Sequence, residues 1–311
     1  MPSKKLDIKL AEKISAEGEK KIVDSYVNSL SDIRKEIERI YSKYSTAGVL
    51  KWSDMTRSDG QLLARYQEMY KNIFGIIKSN YKDVAGAIDK TFADTYKEGY
   101  YYRSYDIQSQ LGKQLSFSMV QEKVINQAAM NPISGLTLNE IQDKDKARVI
   151  DQVNQSITRG LIQGASINEM DVMVKEALGI ASNNSERIAR TEALRAYSLG
   201  NLQSENEAKD MGIKLTSVWS TDMDGRERPS HEAMDGIEAD EDGIFTLVSG
   251  DNKGAQAPEP RMFGIAAEDI QCRCDKVVQV AELQDDSIIN GTEDFNYQSY
   301  DEYKSDIEYS E

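Results

Sequence analysis

One histidine and two cysteines stand in 311 residues, His231 in VWSTDMDGRERPSHEAMDG (218–236) and Cys272 and Cys274 in EDIQCRCDKVVQV (268–280). Two thiolates and an imidazole suit zinc, which takes sulfur and nitrogen ligands in a tetrahedron. A closed structural site needs a fourth ligand, and Asp235 or Asp224 would have to supply it. In an extended strand, residues two apart project from one face, so Cys272 and Cys274 would present both sulfurs together and Arg273 away from them. Their Cα atoms would then lie about 6.5–7 Å apart, and a disulfide between them would be strained. The alternative is architectural: two small, half-buried thiols beside a histidine that hydrogen-bonds a carboxylate.

His231 and Asp235 are four residues apart, on one face of a short helical turn, where a catalytic base and its orienting acid would sit. The chain displays no nucleophile elbow, no second histidine and no glycine-rich phosphate loop to complete such a site. A polar cluster of Arg228, His231 and Asp235 that ties the turn to a sheet is therefore the expectation.

The elements that must position these residues follow from periodicity. Ile22, Tyr26, Leu30, Ile33, Ile37, Ile40 and Tyr44 form the stripe of one long amphipathic helix. TAGVLKWSDMTRSDG breaks it. Leu62, Tyr66, Met69, Ile73 and Ile77 mark a second helix, and Val84, Ile88, Phe92 and Tyr96 a third. FSMVQEKVINQAAMNP predicts a helix closed near Pro132, because the residue before proline is pushed out of helical geometry. Thr137 with Glu140, Ser166 with Glu169 and Asn183 with Glu186 read as capping boxes that open three more helices, the second stopped by Gly179. After Gly212 the period becomes alternating. Ile213 to Trp219 reads as a strand, HEAMDG as one helical turn ended by Gly236, GIFTLVS as a short strand and CRCDKVVQVAEL as the last strand.

Charge is unevenly placed. Residues 281–311 hold ten acids and one lysine, a net of −9, while the other 280 residues carry 43 acids and 37 bases. A nearly balanced body gives little electrostatic reason to hold nucleic acid through its phosphates. The tail, poor in aliphatics, is expected to be disordered or ordered only by a partner. No apolar run approaches membrane-spanning length and the start is charged throughout, which predicts synthesis in the cytoplasm without export. Two cysteines cannot build a disulfide framework, in keeping with a reducing compartment. The tyrosines of KEGYYYRSYDIQ offer a surface either for stacking on bases or for protein packing, and the scarcity of nearby cations favours packing. In RIARTEALRA, Arg187 and Arg190 share a helix face, with Glu192 turned away.

The ordered set ARTEALRAYSLG, VWSTDMD, GRERPSHEAMDG, a proline-bearing loop and GIAAEDIQCRC resembles the Mu F-like head morphogenesis proteins, minor capsid proteins of tailed phages. YYRSYDIQSQLG, SGLTLNE and ITRGLIQGASINEM extend the resemblance, which covers roughly residues 95–280. It implies a virion component of the head, formed in the host cytoplasm and joined to the portal, with the scaffold or major capsid protein and packaged DNA as further contacts and no membrane. By position it implies a structural cluster of Arg190, Glu192, Asp224, Arg228, His231, Asp235, Glu268 and Arg273, beside the metal candidates His231, Cys272 and Cys274. Many relatives have CxxC where this chain has Arg228-Pro-Ser-His231.

The fold class expected is a mainly α N-terminal region (1–180) that docks on the portal, a small α+β domain (181–283) and an acidic tail (284–311). The function expected is head assembly, acting with no enzymatic turnover and with zinc as the one candidate cofactor. The alternatives are a metal-dependent enzyme acting on nucleic acid, a toxin-like effector, or a nucleic-acid-binding module.

Overall fold

A computed structural model describes residues 6–44, 59–132, 135–283 and 292–310. Helices dominate, and a small strand-containing region follows them. In chain order they are α1 (Leu6–Tyr44), α2 (Asp59–Leu111), α3 (Glu122–Ala129), α4 (Leu138–Gln163) and α5 (Ile167–Asp210). The segment expected to break α1 from α2 falls mostly outside the described residues. Within α1 the expected stripe is the buried one: Ile22, Tyr26, Ile33, Ile37 and Ile40 are all at most 6% exposed.

Two expected boundaries are absent. The second and third helices are one, α2, because Met69, Ile73, Ile77, Tyr81, Val84, Ile88, Phe92, Tyr96 and Tyr100 continue one buried stripe without a proline or a cap. Asn183 and Glu186 also open no helix, and Gly179 stops none, since all three lie inside α5. Ser182 donates to Glu186 there (2.7 Å), and the buried stripe runs on through Leu178, Ala181, Ser185 and Ala189. By contrast, Ser166 caps α5 as expected: its amide and hydroxyl donate to Glu169 (2.7 and 2.8 Å), and the Glu169 amide answers at 3.4 Å.

The expected divisions at 180 and 283 do not coincide with the compact units, which are Glu17–Lys90 with Asn139–Ala189, and Met1–Ala16 with Thr91–Leu138 and Arg190–Glu311. Periodicity marks which face of a helix is buried, not which stretches share a core. Among its described residues the first of these units has helices and no strand, and it is pinned by a buried polar knot. Asp145 accepts from Tyr81 (2.9 Å) and Ser185 (2.5 Å), and Ser185 meets Tyr26 at 2.8 Å, so α1, α2, α4 and α5 each give one residue.

The other unit holds the strands. β1 (Ile213–Ser220) pairs antiparallel with β4 (Asp275–Leu283), from Ile213 opposite Leu283 to Ser220 opposite Asp275. β2 (Phe245–Thr246) pairs with β3 (Gln256–Ala257), and the one-turn helices α6 (Pro229–Glu232) and α7 (Ala266–Asp269) lie in the connections. Trp219, Met234, Phe245, Leu247, Cys272 and Cys274 form a buried core here. Elsewhere in this unit α2 and α5 cross at Gly99 and Gly200, where an added Cβ would run into the backbone of Tyr197 and Tyr96 respectively.

The tail corrects a further expectation. Residues 300–310 form α8 (Tyr300–Ser310), and Tyr300 and Tyr303 are buried against Tyr100 and Tyr101. Lys304 pairs with Glu98 at 2.6 Å and Lys113 with Asp294 at 2.7 Å. Aromatic rings do here what aliphatics usually do, so a segment poor in aliphatics still buries enough surface to order. The tyrosine patch of α2 is thus covered by its own chain. Among the described residues no helix is long and apolar enough to cross a membrane.

Candidate metal centre

Pro229 stands at the first turn of α6, where its fixed φ suits a helix start and its missing N–H costs nothing. The turn carries His231 inward. Gly236, with φ 79°, then reverses the chain so that its amide donates to the Trp219 carbonyl (2.9 Å). Thr221 locks the same corner: its hydroxyl donates to the His231 carbonyl (2.7 Å) and accepts from the Trp219 indole (3.1 Å).

The two cysteines come from the other side, and not from a strand as expected. β4 begins only at Asp275, while Gln271 takes φ 56° and the Cys272 amide donates to Asp269 at the end of α7 (3.3 Å). Even so, both sulfurs face the ring. His231 Nδ1 lies 3.5 Å from Cys272 Sγ and 3.3 Å from Cys274 Sγ, and all three residues are buried. The other ring nitrogen, Nε2, is 2.9 Å from Glu268 Oε2. A carboxylate can only accept there, so Nε2 carries the proton and Nδ1 turns its lone pair to the sulfurs.

Glu268 is itself held by Ser230 (3.0 Å) and Asn252 (2.7 Å). Burial pushes its carboxyl up, but Asn252, Ser230 and His231 outweigh that and leave it below the usual carboxylate range. For His231, burial works against the charged form, and the Cys272 sulfur and Glu268 override it and raise the pKa. Hydrogen bonding from Cys274 lowers the Cys272 thiol well below its ordinary value, and Cys274 is raised in return. Two sulfurs and an imidazole nitrogen thus converge, a donor set that a soft divalent cation matches.

Residues 151–277 match the family model described as Phage Mu protein F like protein. Over 266 residues the chain is 25% identical to the minor head protein GP7 of Bacillus phage SPP1, covering 86% of this chain and 83% of that one. Residues 151–277 are similar to the phage Mu F-like family. The resemblance read from the motifs is thereby borne out. The chain is also 30% identical over 294 residues to a protein of Enterococcus faecalis named NAD(+)--arginine ADP-ribosyltransferase EFV, covering 93% of this chain but 57% of that protein's length. No solved structure matches it.

The single cluster expected from the motifs is several separate groups in the structure. His231, Glu268 and the two cysteines do meet, and Arg228 joins them by donating to the Ile270 carbonyl beside the cysteine turn. Asp235 does not bond His231; its carboxylate accepts the Thr221 amide (2.8 Å). Asp224 is paired at the surface with Arg273 (2.5 Å) and with Arg226, which hold its carboxyl far below the ordinary range. Arg190 reaches Glu12 (3.3 Å). Glu192, turned away from Arg187 and Arg190, is buried and accepts two bonds from Arg195 (2.9 and 2.6 Å), which also lies over the Phe92 ring.

Sequence reasoning missed a second buried charge group beside the cysteines. Lys276 pairs with Glu205 (2.6 Å) and Glu259, Arg103 pairs with Glu205 (3.2 Å), and all four are at most 2% exposed. Arg261, in the left-handed region at φ 73°, donates to the Cys274 carbonyl and to Ser198 Oγ. Burial pushes Glu259 up to about 7. Partners this far apart in the chain leave no local spacing to read. The one usable signal was Lys276 itself, a lysine at the start of an otherwise apolar alternation.

Proposed function

We propose that this chain is a minor head protein of a tailed phage, built into the head during assembly beside the portal and active as structure instead of as a catalyst. The observation that carries this reading is the likeness to the phage SPP1 minor head protein, which spans most of both chains. The helical unit supplies docking surface, since Val27, Val172 and Ile180 are more than half exposed on it. The portal is the partner assigned to that surface, with scaffold or major capsid protein next to it. The nearly balanced charge of residues 1–280 fits a protein that lies near packaged DNA without clinging to it. In this reading the chain works in the host cytoplasm during assembly and then resides in the virion.

The test is quantitative mass spectrometry of purified heads from a phage with and without the gene. A few copies per head that co-purify with the portal, together with malformed heads in the deletion, are expected. Normal heads that never contain the chain would end the proposal.

A second reading, an ADP-ribosyl transfer activity, rests on the Enterococcus relative. The segment shared with that protein is shared with a head protein too, so we place the activity outside it. Release of nicotinamide from NAD+ by the purified chain, in the presence of an arginine-bearing acceptor, would reverse that placement.

A further inference from the structure

We propose that His231, Cys272 and Cys274 form a three-residue zinc centre, steered by Glu268, whose fourth position opens to the adjoining cleft and is filled by solvent or a small anion. The inference does not depend on the head role: a metal centre can stabilise a virion protein or serve an enzyme.

Distance is the first support. Zinc bonds of about 2.3 Å to sulfur and about 2.0–2.1 Å to nitrogen, at tetrahedral angles, put a sulfur and a nitrogen ligand about 3.6 Å apart. The Nδ1–Sγ separations are 3.5 and 3.3 Å, and all three ligand atoms lie within 4.8 Å of one another. Only small shifts are needed to admit the ion.

Orientation is the second. A metal-bound histidine commonly gives its other N–H to a carboxylate, which fixes the tautomer and the ring. Nε2 does this to Glu268 at 2.9 Å, and Ser230 and Asn252 hold that carboxylate in turn. A histidine that merely filled space would not need its free nitrogen aimed at two sulfurs.

The fourth position follows by elimination among the side chains weighed for it. Asp235 is committed to the Thr221 amide and Asp224 to Arg273 and Arg226. Among the described residues the group of candidate ligands that converge is His231, Cys272 and Cys274 alone. Beside them lies a small cleft of about 20 Å³, room for about one water, lined by Asp222, Arg226, Glu227, His231, Arg273 and Cys274 among others. Asp222 and Glu227 share its wall with the arginines, and Arg226 and Arg273 are already paired with Asp224, so the size of the cleft, and not its charge, points to water, hydroxide or a small anion as the fourth ligand. Binding displaces whatever protons the two thiols carry and leaves them as thiolates on the ion.

The test uses the full chain, stripped with a chelator under reducing conditions and titrated with Co2+ alone. One equivalent should bind, with a thiolate-to-cobalt charge-transfer band and the intense visible bands of a tetrahedral ion. Cys272→Ser and Cys274→Ser should each weaken or abolish the charge-transfer band, with circular dichroism checking that they fold. Glu268→Gln should keep the band and loosen binding about 10–100-fold. Azide added to the cobalt form should shift the visible bands, as an exchangeable fourth ligand requires. No band in folded wild-type protein, or a band unchanged in both cysteine variants, would overturn the centre. Visible bands that azide leaves untouched would overturn the open fourth position.

Discussion

The imidazole of His231 is clamped between Glu268 on one nitrogen and the sulfurs of Cys272 and Cys274 on the other, with Trp219 edge-on to the ring at 5.5 Å. Each of these contacts is desolvated, so removing the ring strands a buried carboxylate. His231→Ala is expected to cost about 3–5 kcal/mol. Urea unfolding would measure it, and a loss below about 1 kcal/mol would show that the clamp is incidental to the fold.

Glu259 gives a pH signature. Its carboxyl is raised from an ordinary 4.5 to about 7, mainly by burial, so the folded state binds its proton more tightly than the unfolded state does. The contribution of that protonation is fully present below about 4.5 and is lost as pH rises towards about 7. Wild type should therefore lose stability between pH 5 and pH 8 relative to Glu259→Gln, which cannot titrate there. Parallel stability curves for the two proteins across that range would count against the burial of this group.

Gly99 and Gly179 should respond oppositely to alanine. At Gly99 the new methyl would meet the Tyr197 carbonyl, a backbone atom that cannot swing aside. Gly99→Ala is expected to cost about 1–3 kcal/mol or more. Gly179 lies within α5 with nothing near its missing side chain, so Gly179→Ala should stabilise by about 0.5–1 kcal/mol. Thermal melts of both variants decide this, and a destabilised Gly179→Ala would mean that the helix does end there.

Tyr303, 6% exposed and 3.3 Å from both Ser104 Oγ and Gln108 Nε2, anchors the tail. Tyr303→Ala should cost on the order of 3 kcal/mol and free α8. Hydrogen exchange would show it as lost protection of the amides in 300–307. An already unprotected tail in the wild type would contradict the packing described.

The sequence made the helix faces and the small sheet legible because both are local: the stripe Ile22 to Ile40 and the alternation Ile213 to Trp219 are each written in one short segment. The meeting of His231 with Cys272 and Cys274 was also within reach, since one histidine and two cysteines leave few ways to build a polar core. Boundaries fared worse. Asn183 and Glu186 have cap chemistry, but the buried stripe of α5 overrides it. The tail was misjudged because its burial depends on rings of α2 almost two hundred residues earlier. The Lys276–Glu205–Glu259 group was hidden for a related reason: a charge looks solvated until its partner is placed.

The order in which the ribosome delivers this chain has a consequence for how it matures. The unit that ends at Ala189 is complete once that residue has emerged, whereas the other unit draws on Met1–Ala16 and still awaits β4 and α8. A nascent chain halted before Cys272 already exposes the imidazole and the tyrosines of α2, with neither the sulfurs nor the tail to cover them. Truncation or proteolytic nicking before α8 should thus yield sticky, chaperone-bound fragments, because that unit closes only once β4 and α8 are both present.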